Sequence, residues 1–349
     1  MAFNRPLPRY PAEALRTCVI AGAYYGSAKV GLLQELVRGQ VTPLWPPTGI
    51  AVVCLLWWGL RAGPGIALGA FLVNVTIGPS ALAVLGIVAG NTLAPVCAWL
   101  LLRRAGFRTE MDRLRDALAL VFLAALPAML VSATVGTAVL AAADAIGGGD
   151  FWPTWSVWWT GDAMGVLVVA PVLLVARAAW PLRMMSAYRW AEAAALVCGT
   201  TAVTVVATRT DVNLLFLAFP LLIWAAFRFQ QTGAAPCTLV VSVVTISAAA
   251  DDAGPFKDHA LPAQMLILQA FNGAAAMTAL LLSAVVTERN RTHLEIAYVC
   301  GLLATAVTRL APSGGVQEWP PPPHARRPDG DDGTGGEGGG GTGGGRTGR

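Results

Sequence analysis

Apolar residues occur along this chain in long runs that short polar stretches separate. A helix needs about 20 mostly apolar residues to cross a bilayer, and the runs between residues 15 and 287 approach or exceed that length. The predicted helices lie at 15–37, 45–60, 63–78, 80–102, 117–142, 156–176, 190–208, 213–228, 235–250 and 264–287. The second, third, eighth and ninth are short. The pattern therefore predicts an all-α integral membrane protein, a polytopic bundle of about ten (eight to ten) transmembrane helices.

The composition points to the lipid bilayer as the surrounding medium. The chain is 55% hydrophobic and 13% charged, whereas soluble domains have about 25% charged residues. The net charge of +4 comes from arginines that are scattered between apolar segments, so we expect no nucleic-acid partner. The six cysteines form no CxxC pair and the three histidines are far apart in the sequence, so we expect no metal and no cofactor.

The arginines also predict the orientation, because Lys and Arg accumulate in short cytoplasmic loops. With the N-terminus inside, fifteen arginines fall in inner segments and three basic residues in outer loops. The inner residues are Arg5, Arg9, Arg16, Arg61, Arg103, Arg104, Arg108, Arg113, Arg115, Arg177, Arg183, Arg189, Arg228, Arg289 and Arg291, and the outer ones are Arg38, Arg209 and Lys257. We therefore expect a multi-pass plasma-membrane protein with both termini in the cytoplasm, beginning with a cytoplasmic segment at 1–14.

The character of the chain changes after residue 287. Residues 288–293 are polar, and Glu295 and Arg309 argue against an eleventh span, so 291–311 is predicted to be a short cytoplasmic helix or linker. The Pro- and Gly-rich tail at 312–349 has too few apolar residues to bury and is predicted to be disordered. Its glycine run follows no strand and opens no helix, so it does not indicate a nucleotide-binding loop.

Five polar side chains lie within the predicted spans. They are Lys29, Asn74, Asn91, Asp162 and Asn272. Counting residues along each helix places all of them in the outer half of the bilayer or near its midplane. Polar groups at such depth are costly, and they usually mark a functional site or a charge pair.

A turn at the same level adds to this polar region. Pro46 and Pro47 remove two backbone donors, and they follow Trp45 at the start of the second helix. The unpaired backbone groups of such a turn need protein or a water-filled cavity around them. We therefore predict an outward-open pocket lined by helices one, two, three, six and ten. The candidate ligand-binding residues are Lys29, Trp45, Pro46, Pro47, Thr48, Asn74, Asn91 and Asp162.

A purely structural interpretation of the same residues stays open. Lys29 and Asp162 are predicted to be coupled, and their pairing could serve helix packing alone. The asparagines would then be hydrogen-bonding contacts between helices.

Several sequence stretches resemble the MASE1 family, an integral membrane sensory domain of bacterial signalling proteins. In chain order they are YYGSAKVGLL at 24–33, LWPPTGIAVVCLLWWGLRAGPGIALGAFLVN at 44–74, GNTLAPVCAWLL at 90–101, SATVG at 132–136, WWTGDAMGVLVVAPVLL at 158–174 and FPLLIWAAFRF at 219–229 followed by GPF at 254–256. They cover roughly residues 15–290, so this range is identified as a MASE1-like sensory domain.

The resemblance implies a function in signal input. Members of the family usually precede a cytoplasmic histidine kinase, diguanylate cyclase or PAS module. This sequence contains no GGDEF or EAL string and no kinase boxes, so we expect a sensor whose output domain is absent and which is not itself an enzyme. The expectation is a bacterial module of two-component type that senses a small ligand from the outer side and passes a helix shift to a kinase or cyclase partner, with a homodimer as a candidate assembly.

The alternative interpretation is a secondary transporter of a small molecule. Polar groups near the midplane and broken helices suit transporters. No inverted repeat is visible in the sequence, however, and WPPTG has no counterpart in the second half of the chain.

Overall fold

All regular elements that the structure describes are helices. The computed structural model describes residues 9–33, 42–178, 186–210, 212–259 and 261–310, so the predicted tail at 312–349 and residues 1–8 lie outside the described residues. The helices in this part of the chain are α1 (Arg9–Leu32), α2 (Pro46–Trp58), α3 (Gly63–Ile77), α4 (Ala81–Arg104), α5 (Leu114–Ala142), α6 (Gly148–Ala178), α7 (Ala187–Arg209), α8 (Ala218–Phe229), α9 (Gln231–Ala250) and α10 (Leu261–Leu310). The all-α prediction is confirmed.

Seven helical stretches of the described chain are long and apolar enough to cross a membrane. They are Pro46–Ile77, Ala81–Arg104, Leu114–Ala142, Gly148–Ala178, Ala187–Arg209, Gln231–Ala250 and Ala263–Arg309, and Leu215–Phe229 is a shorter apolar helix. The structure is thus that of a multi-pass helical membrane protein. The predicted count of eight to ten spans is not confirmed by this criterion.

The stretch Pro46–Ile77 reverses direction at its centre. Gly59 has a φ of 62° and opens a 3-10 turn that ends α2. Gly31, near the end of α1, faces Pro46 at the start of α2, whereas Gly65 of α3 faces Ile20 in the first half of α1. Hence α2 runs antiparallel to α1, and α3 runs parallel to α1. At 13 and 15 residues, α2 and α3 are about 20 and 22 Å long, less than the roughly 30 Å of a hydrocarbon core.

The helix α10 continues through the polar residues 288–293, beyond residue 287, where the last predicted span ends. Arg291 pairs with Glu295 at 3.0 Å one turn further along, and the Thr292 hydroxyl donates to the Glu288 carbonyl. Such contacts between residues four apart stabilise a helix. Residues up to Ile296 belong to one compact unit, and the described part of the second unit, 297–310, is helical.

Two contacts join the far part of α10 to the beginning of α5. The carboxylate of Glu288 accepts a hydrogen bond from the Leu114 backbone N–H at 2.9 Å. Arg291 forms an ion pair with Asp112, which also lies 3.6 Å from Arg108. These contacts tie α10 to the loop between α4 and α5.

The largest core cluster lies where α2, α4, α5, α6, α9 and α10 meet. Its fully buried members include Val52, Leu102, Leu120, Val166 and Ala284. Many large apolar side chains on the outer faces of the helices are exposed, among them Leu82, Leu85 and Phe122. An exposed apolar surface of this kind is suited to contact with lipid.

Candidate functional site

The first turn of α2 packs directly against the backbone of α6. A Cβ atom at Gly49 would collide with the Gly165 carbonyl oxygen, and one at Gly165 would collide with the Trp45 carbonyl oxygen. The Trp45 backbone N–H donates to the Gly161 carbonyl at 3.0 Å. The three glycines therefore let the Trp-Pro-Pro turn approach α6 at backbone distance.

The Trp-Pro-Pro turn is also in contact with α10. Trp45 has extended backbone angles (φ −111°, ψ 87°), as expected before a proline, and Pro46 and Pro47 occupy the first helical turn, where missing N–H groups leave no helical bond broken. The Gln269 amide of α10 donates to the Pro43 carbonyl at 3.2 Å. Two helices, α6 and α10, thus fix the position of the turn.

The carboxyl group of Asp162 is the centre of a buried polar cluster. The side chain is 1% exposed, and the Thr48 hydroxyl donates to its Oδ1 at 2.5 Å. The Ser132 hydroxyl of α5 is hydrogen-bonded to its Oδ2. The cluster therefore joins α2, α5 and α6 through one carboxyl group.

A small cavity lies beside this carboxyl group. Its volume is about 30 Å³, and its lining residues are Thr42, Trp45, Asn74, Ile77, Asn91, Trp158 and Asp162. A second cavity of about 20 Å³ shares Asn74, Ile77 and Trp158 with it. Since one water needs roughly 10–15 Å³ measured in this way, the main cavity has room for about two waters.

Comparison with known proteins decides the family. A family model described as MASE1 matches residues 17–290, well over half of the chain. The chain belongs to the MASE1 family. MASE1 is a family of membrane-associated sensory domains, so the resemblance inferred from the sequence is confirmed. No curated protein and no solved structure matches the chain.

Most of the predicted site residues meet at one place in the MASE1 region. Trp45, Asn74, Asn91 and Asp162 line the main cavity, and Thr48 is bonded to Asp162. Pro46 and Pro47 form the first turn of α2 next to them. Residues that are far apart in sequence are thus brought to one polar region.

Lys29 is the exception, because it lies outside this cluster. Its side chain is exposed and its ammonium group lies 5.3 Å from the centre of the Tyr25 ring. Tyr24 and Ala28 of α1 are buried four residues apart, and Lys29 follows Ala28 by about 100° of helical rotation. The predicted Lys29–Asp162 pair is therefore wrong. The prediction compared the depths of the two residues along their helices, but Lys29 lies on the face of α1 that points away from Asp162.

A double-mutant cycle should show the two residues to be independent. Lys29→Met and Asp162→Asn are expected to change the free energy of unfolding additively, within about 0.5 kcal/mol, because they share no contact. Denaturation of all four forms in detergent measures this. A double variant that recovers stability lost in Asp162→Asn would contradict the geometry.

The helices that line the cavity also differ in part from the prediction. Asn91 of α4 lines it, and α5 contributes Ser132 to the carboxyl cluster. Asn272 of α10 does not line the cavity. It is fully buried, and both of its amide atoms lack a hydrogen-bond partner among the described residues.

Four participants were not singled out as site residues. Ser132, Trp158, Thr42 and Tyr24 lie at or beside the cavity, and the Tyr24 hydroxyl interacts with the side chains of Asn91 and Trp45. Ser132 opens the SATVG stretch and Trp158 opens the WWTGDAMG stretch, so both belong to segments that carry the family resemblance. Among the described residues, no group of three or more His, Cys, Asp or Glu could hold a metal ion.

Proposed function

We propose that this chain is a bacterial membrane sensory module that detects a small ligand from the outer side and passes a helix movement to a cytoplasmic kinase or cyclase. One observation carries the proposal: the helix that binds the site turn is also the helix that continues to residue 310. Gln269 and Glu288 are 19 residues apart on α10, a rise of about 28 Å, close to the thickness of a hydrocarbon core. A displacement of the Trp-Pro-Pro turn would act directly on this helix.

The cavity limits the kind of ligand. With about 30 Å³ of space it accommodates a group of one or two heavy atoms next to Asp162, unless the turn moves. The polar lining, Asn74, Asn91 and Asp162, suits a small polar or positively charged species. An organic ligand of drug size would need several hundred Å³.

The proposed topology has ten crossings, with α2 and α3 as two short ones and both termini in the cytoplasm of a plasma-membrane protein. The arginine asymmetry and the reversal at Gly59 support it. Reporters placed near Gly148 and after Arg291 are expected on opposite sides of the membrane. If both report the same side, the ten-crossing topology is wrong.

The proposed output runs through contacts outside the chain. A kinase or cyclase of two-component type would receive the movement of α10, and a homodimer would place two such helices side by side. The module itself is proposed to have no catalytic activity, no cofactor and no nucleic-acid partner.

Gln269→Leu tests the proposed coupling. The substitution removes the hydrogen bond to Pro43 and keeps a side chain of similar bulk. With an output domain fused after residue 310, the variant should insert normally, yet lose most of the response of its output to changes in medium pH and salt. The output activity of cells grown across these media measures the effect.

Gln264→Leu is the matched control for this experiment. Gln264 is another glutamine of α10, buried where Gln269 is partly buried, and it donates to the Ala249 carbonyl of α9 instead of the site turn. Equal losses of response in both variants would show that general packing of α10 matters and would refute the specific route through Pro43. Transport of solute by vesicles with no output response would favour a transporter.

A further inference from the structure

The carboxyl group of Asp162 is buried without a positively charged partner among the described residues. The ion pairs in this part of the chain engage other acids: Glu110, Asp112, Glu192, Asp251 and Glu295. A buried carboxylate without a counter-charge is strongly disfavoured, and it is relieved by a bound cation or a proton. The charge of Asp162 therefore depends on which atoms of this cluster carry the hydrogens.

The Ser132 hydroxyl group has one hydrogen to donate and two neighbouring oxygen atoms that accept hydrogen bonds. Its Oγ lies 3.1 Å from the Met129 carbonyl oxygen and is also hydrogen-bonded to Asp162 Oδ2. A hydroxyl group donates one hydrogen bond and accepts up to two. If Ser132 donates to Met129, its contact with Asp162 needs a hydrogen on the carboxyl oxygen.

A protonated Asp162 satisfies its contacts with Ser132 and Thr48 at once, and its remaining lone pairs accept the hydrogen bond that the Trp158 indole N–H donates. Its Oδ2–H donates to Ser132 Oγ, Ser132 donates to the Met129 carbonyl, and Thr48 donates to the remaining Oδ1. When the proton leaves, Ser132 must turn its hydrogen toward the carboxylate, and the Met129 carbonyl loses that bond. Gain or loss of one proton therefore rearranges a contact within α5.

The surroundings provide access for a proton and no competing charge. The adjacent cavity has room for about two waters, and water there would deliver a proton to the carboxyl oxygen. The neighbours from the other helices are Thr48 of α2, Asn74 of α3, Asn91 of α4 and Ser132 of α5, none of which titrates. Tyr24 of α1 is the one titratable side chain among the described residues that interacts with Asp162, and a phenol is ordinarily neutral below about pH 10.

We propose that the ligand of this site is a proton, bound by the carboxyl group of Asp162 and relayed as a change in the hydrogen bond of Ser132. Hydronium in the cavity transfers its proton to Oδ2 and leaves as water, and no other bond forms or breaks. The assignment rests on the proposed sensory function for its biological meaning. The protonation itself can be measured without any signal output.

Infrared spectroscopy of the purified full chain in lipid nanodiscs tests the proposal. The carbonyl stretch of the protonated Asp162 carboxyl should be present at about pH 4 and vanish as the pH is raised to about 9. It should be missing in Asp162→Asn. Ser132→Ala removes the acceptor of the Asp162 hydrogen, so it should lower the proton affinity by about fivefold, the effect of one hydrogen bond.

The direction in which Ser132→Ala changes the proton affinity of Asp162 decides the test, even if Asp162→Asn fails to fold. If Ser132 chiefly donates to a carboxylate, its loss would raise the proton affinity and overturn the proposal. Ser283→Ala is the matched control and should shift nothing, because Ser283 is equally buried and donates to the Leu280 carbonyl three residues back, with no carboxyl partner.

Two further results would also overturn the assignment. One is the absence of a titrating carboxyl band over this pH range. The other is a change in the carboxylate bands when Na⁺ replaces choline at fixed pH, which would identify a metal cation as the ligand. An output response without the band refutes the proton site and leaves the sensory function standing, whereas the band without any output response supports the proton site and refutes the sensory function.

Discussion

Gly165→Ala should lower the yield and stability of folded protein more than any other single-methyl change at this site. The added Cβ would collide with the Trp45 carbonyl oxygen, and that oxygen belongs to the backbone of a turn held by both α6 and α10. Overpacking a dense interior costs about 1–3 kcal/mol, and backbone against backbone has little freedom to adjust, so we expect the upper end of this range. Gly49→Ala meets the Gly165 carbonyl oxygen and should behave alike. Thermal unfolding in detergent measures both.

Gly199→Ala is the control for the added methyl group. Gly199 lies in α7 with no heavy atom near the position of a Cβ. Alanine has a higher helix propensity than glycine, so this variant should be neutral or slightly more stable. If Gly165→Ala and Gly199→Ala have the same melting temperature, the close approach of the turn to α6 is not present in the protein.

Thr48→Val should be the second most damaging of these changes. Valine keeps the shape of threonine but removes the hydroxyl that donates to Asp162 Oδ1 at 2.5 Å. An unsatisfied buried acceptor costs about 1–3 kcal/mol. Hydrogen bonds between membrane helices often contribute less, about 0.6 kcal/mol on average and at most about 1.7. We therefore expect a loss of about 1–2 kcal/mol in the free energy of unfolding.

Thr245→Val separates this effect from the loss of a hydroxyl in general. Thr245 of α9 is fully buried, and its hydroxyl donates to the Val241 carbonyl one turn back. That carbonyl belongs to the helix backbone, so little is left unsatisfied when the hydroxyl is removed. Equal destabilisation by the two valines would mean that the bond to Asp162 has no special importance.

The sequence predicts the helices well, because long apolar runs indicate where helices form and prolines mark where they begin. The structure has helices at Pro46–Trp58 and Gly63–Ile77, within the predicted ranges 45–60 and 63–78, since consecutive prolines and Gly59 mark their boundaries. Depth along a helix also follows from counting residues. This is why Asn74, Asn91 and Asp162 were grouped correctly at one level of the bundle.

What the sequence could not predict is the face that each helix presents to its neighbours. Lys29 has the right depth and lies on the exposed face, so its pairing with Asp162 failed. Ser132 was overlooked because a single serine within an apolar helix usually bonds to its own backbone, as it also does here with Met129. The run of α10 past residue 293 depended on contacts such as Arg291 with Asp112, which join distant parts of the sequence.

The most direct test of the account is whether the site controls the C-terminal end of α10, which the proposed topology places on the inner side. The full chain is reconstituted into vesicles, the inner pH is kept constant, and the pH on the outer side of the protein is lowered while hydrogen exchange is followed at residues 288–310. Because the intrinsic exchange rate there stays constant, any difference reports a structural change. The account predicts altered exchange in the wild type and in Gly199→Ala, and none in Asp162→Asn. Identical exchange before and after acidification in the wild type would contradict it.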